Sequence, residues 1–227
     1  GLLLLLLRLS IAEPQLFVDT QRQSVRRGSI GLLLATSSRR RRFAQLLLIG
    51  LPVWFVAGIV IAFSPELATA LNTPGVTAAR AVLTSYIGVA IGDLLCGLLS
   101  QALKSRRRAM LWSLSLLLVG LLLLLRLRGL SPTGFYGLCF GLGLTTGYWA
   151  VLVTTAAEQF GTNLRATVTT TVPNLVRASV IPMGLLYQTL VPSLGMVEAV
   201  RWLGVSCVAV ALLSLLRLTE TYHRDLA

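Results

Sequence analysis

The chain has 227 residues, of which 55% are hydrophobic and 12% are charged, and its mean hydropathy is +0.80. Soluble domains carry about 25% charged residues, so this composition excludes an ordinary soluble domain. The 20 basic and 8 acidic residues give a net charge of +12, but the basic residues stand in short runs between apolar blocks. Such runs are typical of membrane loops, so we expect a lipid bilayer around the chain and no nucleic-acid partner.

The first 42 residues divide into an apolar run and a basic segment. Leu2 to Leu7 are all leucine and are followed by Arg8, and so short a run cannot cross a hydrocarbon core of about 30 Å. No basic segment precedes this run and no small-residue cleavage site follows it, so the run does not indicate a signal peptide. We interpret residues 1–8 as the end of a transmembrane helix whose start lies in a longer protein, so that this chain is a fragment. Residues 9–42 are then a basic cytoplasmic loop.

Six apolar blocks follow, each long enough for a membrane-spanning helix of about 20 residues. They cover about residues 43–63, 78–100, 109–125, 133–157, 167–190 and 197–216. We therefore predict an all-α, polytopic helical bundle between residues 43 and 217, followed by a cytoplasmic tail at 218–227. The three cysteines lie inside apolar blocks without paired spacing, so we expect no disulfide framework, no metal site and no cofactor.

The distribution of Lys and Arg predicts the orientation. With residues 9–42 inside, 15 of the 20 basic residues occupy cytoplasmic positions, 4 lie outside, and Arg177 lies within a span. Inner loops carry an excess of Lys and Arg, so both ends of the chain are expected in the cytoplasm. We expect a multi-pass integral membrane protein, located in a bacterial inner membrane.

Three cytoplasmic segments carry motifs. They run GLLSQALKSRRR from Gly97 to Arg108, AEQFGTNLRAT from Ala157 to Thr167, and LTETYHRDL from Leu218 to Leu226. In order, they resemble the loop G-x-x-x-D-(R/K)-x-G-R-(R/K), the segment A-E-x-(F/Y)-P-T-x-x-R-(A/G)-T and the tail P-E-T-x-G-(R/K)-x-L of the major facilitator superfamily, especially its sugar-porter-like and organic-acid-transporting members. Several motif positions are replaced in this chain, namely by Gln101, Lys104, Gly161, Thr219 and His223.

The resemblance implies a secondary transporter with twelve helices in two halves and alternating access around a central cavity. This chain would be its C-terminal six-helix half, and the missing N-terminal six-helix half would be its partner. The expected function is transport of a small polar solute, such as a sugar-like metabolite or an organic acid, coupled to protons. A non-transporting membrane sensor or assembly subunit is an alternative. A membrane-embedded enzyme is less favoured, because no acid, base or metal-ligand cluster is evident, so we expect no enzyme and no catalytic residues.

Asp93 is the only carboxylate clearly inside a predicted span, since Glu198 lies at the very start of the sixth. Charged groups within spans are energetically expensive and are therefore functional candidates, so one interpretation is that Asp93 carries the coupled proton. It shares a helix face with Tyr86, Gly97 and Gln101 at helical spacing. The alternative is a structural ion pair or hydrogen-bonded contact near the inner surface.

Arg177 lies roughly 15 Å into the fifth span at the α-helical rise. It belongs to a polar stripe at helical spacing that also contains Thr170, Asn174, Gly184 and Gln188. Contact of this stripe with lipid would be costly, so it should face protein or water. Either the stripe lines the cavity and Arg177 binds an anionic or hydroxyl-rich solute, or Arg177 pairs with Asp93 and locks two helices together. Both can hold at different stages of a transport cycle.

Three further residues complete the predicted cavity lining, namely Trp54, Thr145 and Tyr148. The two aromatic rings lie near the middle of their spans, where they either stack on a substrate or pack against neighbouring helices. Pro52 in the first span, and Pro173 and Pro182 in the fifth, bend their helices. Such breaks mark either site-forming segments or static kinks. The fourth span carries two pairs of glycines that allow close helix packing, namely Gly137 with Gly141 and Gly143 with Gly147.

The motif segments contribute the remaining candidates. The basic loop supplies Gly97, Gln101, Lys104, Arg106, Arg107 and Arg108. Its cations either anchor the loop on the inner side or, as the resemblance implies, contact helix ends of the other half as a gate. Glu158 and Arg165 are expected to form a charge network at the same surface.

Overall fold

The computed structural model describes residues 30–222. The leucine run with Arg8, most of the predicted loop at 9–42, and the tail from His223 onward lie outside this range. Within it, every regular element is a helix and no strand is present. The expected all-α class is confirmed for this part of the chain.

Ten α-helices and one π-helical segment make up the described range. In chain order they are α1 (Ile30–Leu33), α2 (Ser37–Phe55), the π-helix (Val56–Ile61), α3 (Ser64–Ala70), α4 (Ala78–Ala102), α5 (Arg106–Arg126), α6 (Pro132–Thr146), α7 (Trp149–Gln159), α8 (Thr162–Ala178), α9 (Val180–Leu194) and α10 (Met196–Leu216). α2 continues directly into the π-helix.

Six helical stretches are long and apolar enough to cross a membrane, as the sequence predicted. In chain order these spans are Ser37–Ile61, Ala78–Ala102, Arg106–Arg126, Pro132–Gln159, Asn163–Leu194 and Met196–Leu216. The first begins at Ser37 rather than at residue 43 because the run Arg39–Arg42 continues the helix. Thr36 caps it, since its hydroxyl accepts the Arg39 N–H at 3.4 Å. Six spans make this a multi-pass membrane protein by length and composition.

Hydrogen bonds between the loops indicate that successive spans run in opposite directions. Arg42, at the start of the first span, donates to the carbonyl of Gln159 at 3.1 Å, and Gln159 donates to the carbonyl of Thr219 at 2.7 Å. At the other end, the Gly129 N–H donates to the Leu71 carbonyl at 2.9 Å. We call the end of the bundle that contains Arg42, Gln159 and Thr219 the basic end. It comprises residues 36–42, 101–108, 158–165 and 217–222. The side of the membrane on which it lies stays a prediction.

The second and fourth spans approach each other through glycines. A Cβ atom on Gly143 would lie 2.0 Å from the carbonyl oxygen of Ser85, and one on Gly147 would lie 2.2 Å from the carbonyl carbon of Gly92. Only a hydrogen atom fits at such positions, so the two backbones are in direct contact. A Cβ atom on either member of the other predicted pair would meet nothing within 4 Å, namely Gly137 and Gly141.

Two spans leave most of their surface outside the bundle. In the most apolar stretches of the second and fifth spans, only 22% and 17% of residues are buried, against 44–56% in the other four. Both pack against the first span on the side where Trp54 lies. They therefore flank one open face of the six-helix bundle.

Two spans are discontinuous near mid-length. A turn at Gly147 and Tyr148 separates α6 from α7, and Ser179 separates α8 from α9. Pro182 has no N–H to donate to the carbonyl of Ala178, so the backbone ladder opens at the second break. In the first span, the π-helix begins at Val56, four residues after Pro52.

Candidate functional site

A pocket of about 210 Å³ opens between the first, second, fourth and fifth spans. Its aromatic and polar lining consists of Trp54, Ser85, Tyr86, Thr146, Trp149 and Arg177, and the remaining five lining residues are aliphatic. Three of the aliphatic residues belong to the π-helix Val56–Ile61, an element that is rare and often found at functional sites. The pocket therefore forms where helices depart from regular geometry.

Arg177 meets this pocket with its charge uncompensated. Its Cζ lies 4.9 Å from the centroid of the Trp54 ring, within the range of a cation–π contact. Trp54 meets Trp149 edge to face, with the ring centroids 6.5 Å apart. Arg177 is exposed, and among the described residues it forms no ion pair. The Arg177–Asp93 pair, one of the two sequence interpretations, is thus not formed in this structure.

Backbone packing fixes the walls of the pocket. Thr146 is the last residue of α6 and Trp149 is the first of α7, so the break between these helices sets both side chains at the pocket. Ser85 is held from the other side by the contact of its carbonyl with Gly143. Close glycine packing therefore positions this part of the lining.

The other predicted cavity residues lie elsewhere. Tyr148 is 0% exposed, and its hydroxyl donates to the carbonyl of Ile49 at 2.7 Å. Thr145 is half-buried, and its hydroxyl donates to the carbonyl of Leu142 one turn earlier. Asn174 and Gln188 are exposed on the fifth span and do not line the pocket. Trp54 and Arg177 are thus the two predicted cavity residues that the structure brings together.

The sequence did not assign Ser85, Tyr86 or Thr146 to a cavity, whereas Trp149, at mid-membrane beside Tyr148, was a candidate either for stacking on a substrate or for packing. Tyr86 shares the predicted helix face of Asp93, which was a usable signal for one of them. No proline near Thr146 predicts the break that follows it. In a continuous α-helix the directions of the Thr146 and Trp149 side chains would differ by about 100° for each residue between them. The turn at Gly147 changes this angle, so helical spacing alone does not place both side chains at the pocket.

Asp93 contacts the second half of the broken fourth span. Its Oδ1 accepts the N–H of Ala150 at 3.1 Å, and Ala150 lies in the first turn of α7. The N-terminus of a helix carries unpaired N–H groups and a partial positive charge, so a carboxylate is well placed there. Asp93 is half-buried in a cleft that also includes Gln101, Arg106 and Thr154.

The basic end holds a second, much denser group of charges, centred on Arg106. This guanidinium donates to Glu158 Oε1 at 3.1 Å and to the Ser100 hydroxyl at 2.9 Å. Glu158 Oε2 in turn accepts the hydroxyl of Thr221 at 2.6 Å. The loop after the second span, the end of the fourth span and the chain after the sixth span therefore meet at one point.

Glu220 binds the N-terminus of α5. Its carboxylate accepts the Ser105 hydroxyl and the backbone N–H groups of Arg106 and Arg107, the latter two at 3.0 and 3.3 Å. Burial of the carboxylate opposes ionisation, but the Ser105 hydroxyl and the backbone N–H groups outweigh it and hold the pKa of Glu220 below its ordinary value. In the sequence, only the tail motif at Leu218 to Leu226 drew attention to Glu220.

The predicted gating residues have separate surroundings. Gln101 accepts the hydroxyl of Tyr222 at 3.2 Å, and Arg107 donates to the carbonyl of Leu216 at 2.9 Å. Arg108 donates its backbone N–H to the Ser105 hydroxyl at 3.1 Å. A Cβ atom on Gly97 would meet nothing within 4 Å, and Lys104 adopts a positive φ of 49°. Positive φ favours glycine, which is the residue of the resembling motif at the Lys104 position.

Arg165 does not join the charge network in this structure. Glu158 pairs with Arg106, whereas Nε and Nη2 of Arg165 are buried and have no hydrogen-bond partner in the described range. The predicted pairing of Glu158 with Arg165 is thus not formed in this structure, and Arg106 takes the place of Arg165 beside Glu158.

Comparison with known proteins gives no family assignment. No protein-family model matches this chain, and no curated protein matches it at a significant level.

Proposed function

We propose that this chain is one six-helix half of a secondary active transporter of the major-facilitator type. It would move a small polar metabolite, such as a sugar-like solute or an organic acid, by alternating access. The observation that carries the proposal is the pocket in which an unpaired Arg177 meets Trp54 at the breaks of two spans. Discontinuous helices that form a binding site near the bilayer midplane recur in transporters.

The open face of the bundle supports a second half as partner. The fifth span exposes Thr170, Asn174, Arg177 and Gln188 along one side. Lipid cannot satisfy these groups, so they need protein or water beside them. A second six-helix half packed across the poorly buried second and fifth spans would enclose this stripe and turn the pocket into a central cavity.

The network at the basic end supports the resemblance of the motifs. Three segments that resemble motifs of one family contact each other through Arg106, Glu158 and Glu220. The positive φ of Lys104 at the glycine position of the loop motif agrees with the same interpretation.

Asp93 is the proposed site of proton coupling. Its charge is held by the N–H of Ala150 at the N-terminus of α7. Protonation would remove that charge and weaken the contact between the second span and the second half of the fourth. Because α7 begins beside the pocket, this step would link the proton to the pocket wall.

Uptake of a metabolite panel, in cells expressing the whole gene product, tests the proposal. We expect Arg177→Gln to reduce uptake at least about tenfold, because a lost charge-assisted contact is worth 1.5 kcal/mol or more. Asp93→Asn should abolish accumulation driven by a pH gradient but retain solute exchange. Arg128→Gln, which changes an exposed arginine away from the pocket, is the matched control and should transport normally.

Normal, proton-driven uptake by both Arg177→Gln and Asp93→Asn would overturn the site assignment. Absence of uptake for every solute, with a folded and membrane-inserted protein, would favour the non-transporting sensor or assembly subunit instead.

A further inference from the structure

The charge that the pocket offers is positive. Arg177 presents a guanidinium without an ion-pair partner in the described range, and no Asp or Glu lines the pocket. The guanidinium donates hydrogen bonds and does not accept them, whereas the hydroxyls of Ser85, Tyr86 and Thr146 can do both. A ligand must therefore bring the acceptors for Arg177.

We propose that the pocket selects a compact monocarboxylate with an apolar or aromatic body. This inference rests on the proposed transport function and narrows its substrate class. The carboxylate lies against Arg177, whose planar fork of N–H groups matches two carboxylate oxygens.

The walls fit an apolar body. Trp54 and Trp149 stand at 79° to each other, so they present one ring face and one ring edge at right angles. Both indoles line the pocket, where edge-to-face contact with an aromatic ligand is a favoured arrangement. The five aliphatic lining residues surround the remainder of the space.

The size of the pocket limits the ligand to about one ring. Pockets for drug-sized ligands usually measure about 300–1,000 Å³, whereas this one measures about 210 Å³. A single aromatic ring with one carboxylate suits such a volume.

A neutral sugar pairs less well with Arg177 than a carboxylate does. Charge-assisted hydrogen bonds, above all the bidentate ones between a guanidinium and a carboxylate, are roughly twice as strong as neutral ones. Of the two solute classes in the proposed function, the pocket thus favours the organic acid.

Tryptophan fluorescence gives a binding measurement that does not depend on transport. The chain has 4 tryptophans, and the two outside the pocket, Trp112 and Trp202, are 59% and 61% exposed. Replacing both by phenylalanine leaves Trp54 and Trp149 as the only indole reporters. The full chain carrying these two changes is reconstituted in nanodiscs and titrated with benzoate, with benzamide as its uncharged analogue, and with glucose.

We expect benzoate to change the fluorescence saturably and benzamide to bind at least about tenfold more weakly, since the charge-assisted contact is lost. Glucose should produce no saturable change. Arg177→Gln should raise the Kd for benzoate by about 10–100-fold, and Arg177→Lys by less, because it keeps the charge but loses the fork. Arg128→Gln should leave the Kd unchanged.

Three results would overturn the inference: equal affinity for benzoate and benzamide, equal weakening by Arg177→Gln and Arg128→Gln, or no saturable response to benzoate. Arg177-dependent uptake of an uncharged sugar would overturn the substrate class while leaving the transport function intact. Benzoate binding at Arg177 without uptake of any solute would overturn the transport function while leaving the ligand class intact.

Discussion

The basic end and the pocket each contain an arginine that contacts an aromatic ring, but the two arginines differ in their other partners. Arg106 lies 5.6 Å from the ring of Tyr222 and also binds Glu158 and Ser100. Arg177 lies 4.9 Å from the ring of Trp54 and has no acidic partner. The first arginine is used in joining three segments of the chain, and the second remains available to a ligand.

The two regions are also held together by different forces. Hydrogen bonds and one ion pair assemble the basic end, so its polar side chains are used in holding the segments together. Glycine-mediated backbone contact positions the walls of the pocket. The pocket therefore keeps a charge without an acidic partner beside close-packed backbone, whereas the charges of the basic end hold its segments together.

The largest expected effect comes from filling the glycine contact behind the pocket. In Gly147→Val the new Cβ would lie 2.2 Å from the carbonyl carbon of Gly92, and backbone cannot yield as a flexible side chain does. We expect a loss of about 3 kcal/mol in the free energy of unfolding, measured by denaturation in mixed micelles. Gly141→Val, where a Cβ meets nothing within 4 Å, is the control and should lose less than about 0.5 kcal/mol. Similar losses in the two variants would argue against backbone packing as the support of the pocket.

The next effect is expected at the basic end. Glu220→Ala leaves the Ser105 hydroxyl and the N–H groups of Arg106 and Arg107 without their acceptor. Loss of these charge-assisted bonds should lower the free energy of unfolding by about 2 kcal/mol. Glu66→Gln, at an exposed glutamate without an ion pair among the described residues, should be nearly neutral in the same measurement. An unchanged stability of Glu220→Ala would mean that the tail segment does not hold α5.

Acid should weaken the basic end through the same carboxylate. The native pKa of Glu220 is below its ordinary value of 4.5, so its ionised form stabilises the fold at any pH above 4.5. That contribution is lost as the pH falls from about 4.5 through the lower native pKa. We expect the thermal midpoint of the wild type to drop over this range by more than that of Glu220→Gln. Parallel midpoint curves for the two proteins would contradict this.

The smallest stability effect is expected where the functional effect is largest. Arg177→Gln removes only a cation–π contact at an exposed site, worth about 0.5–1 kcal/mol, so its free energy of unfolding should stay within about 1 kcal/mol of the wild type. Arg106→Gln breaks the half-buried pair with Glu158 and should lose more. If Arg177→Gln lost more stability than Arg106→Gln, the two arginines would not differ in their structural roles as described.

Hydrophobic blocks and charge counts predicted the six spans, because apolar length is a property of each segment alone. The pocket depended on features that such counts do not contain. Tyr148, chosen for its position at mid-membrane, turned into the core because a turn at Gly147 rotates α7 relative to α6. Glu158 was expected beside Arg165, its neighbour in sequence, but Arg106 reaches it from another loop. Contacts between distant segments are set by packing and are not encoded in local spacing.

The fifth span has a consequence for the surrounding lipid. Its 32 residues from Asn163 to Leu194 extend about 48 Å at 1.5 Å per residue, well beyond a hydrocarbon core of about 30 Å. A helix of this length must lean, bend at Ser179 or reach into the headgroups. Acyl chains of different length would therefore change the tilt of this helix before they affect its shorter neighbours, and with it the depth at which Arg177 lies.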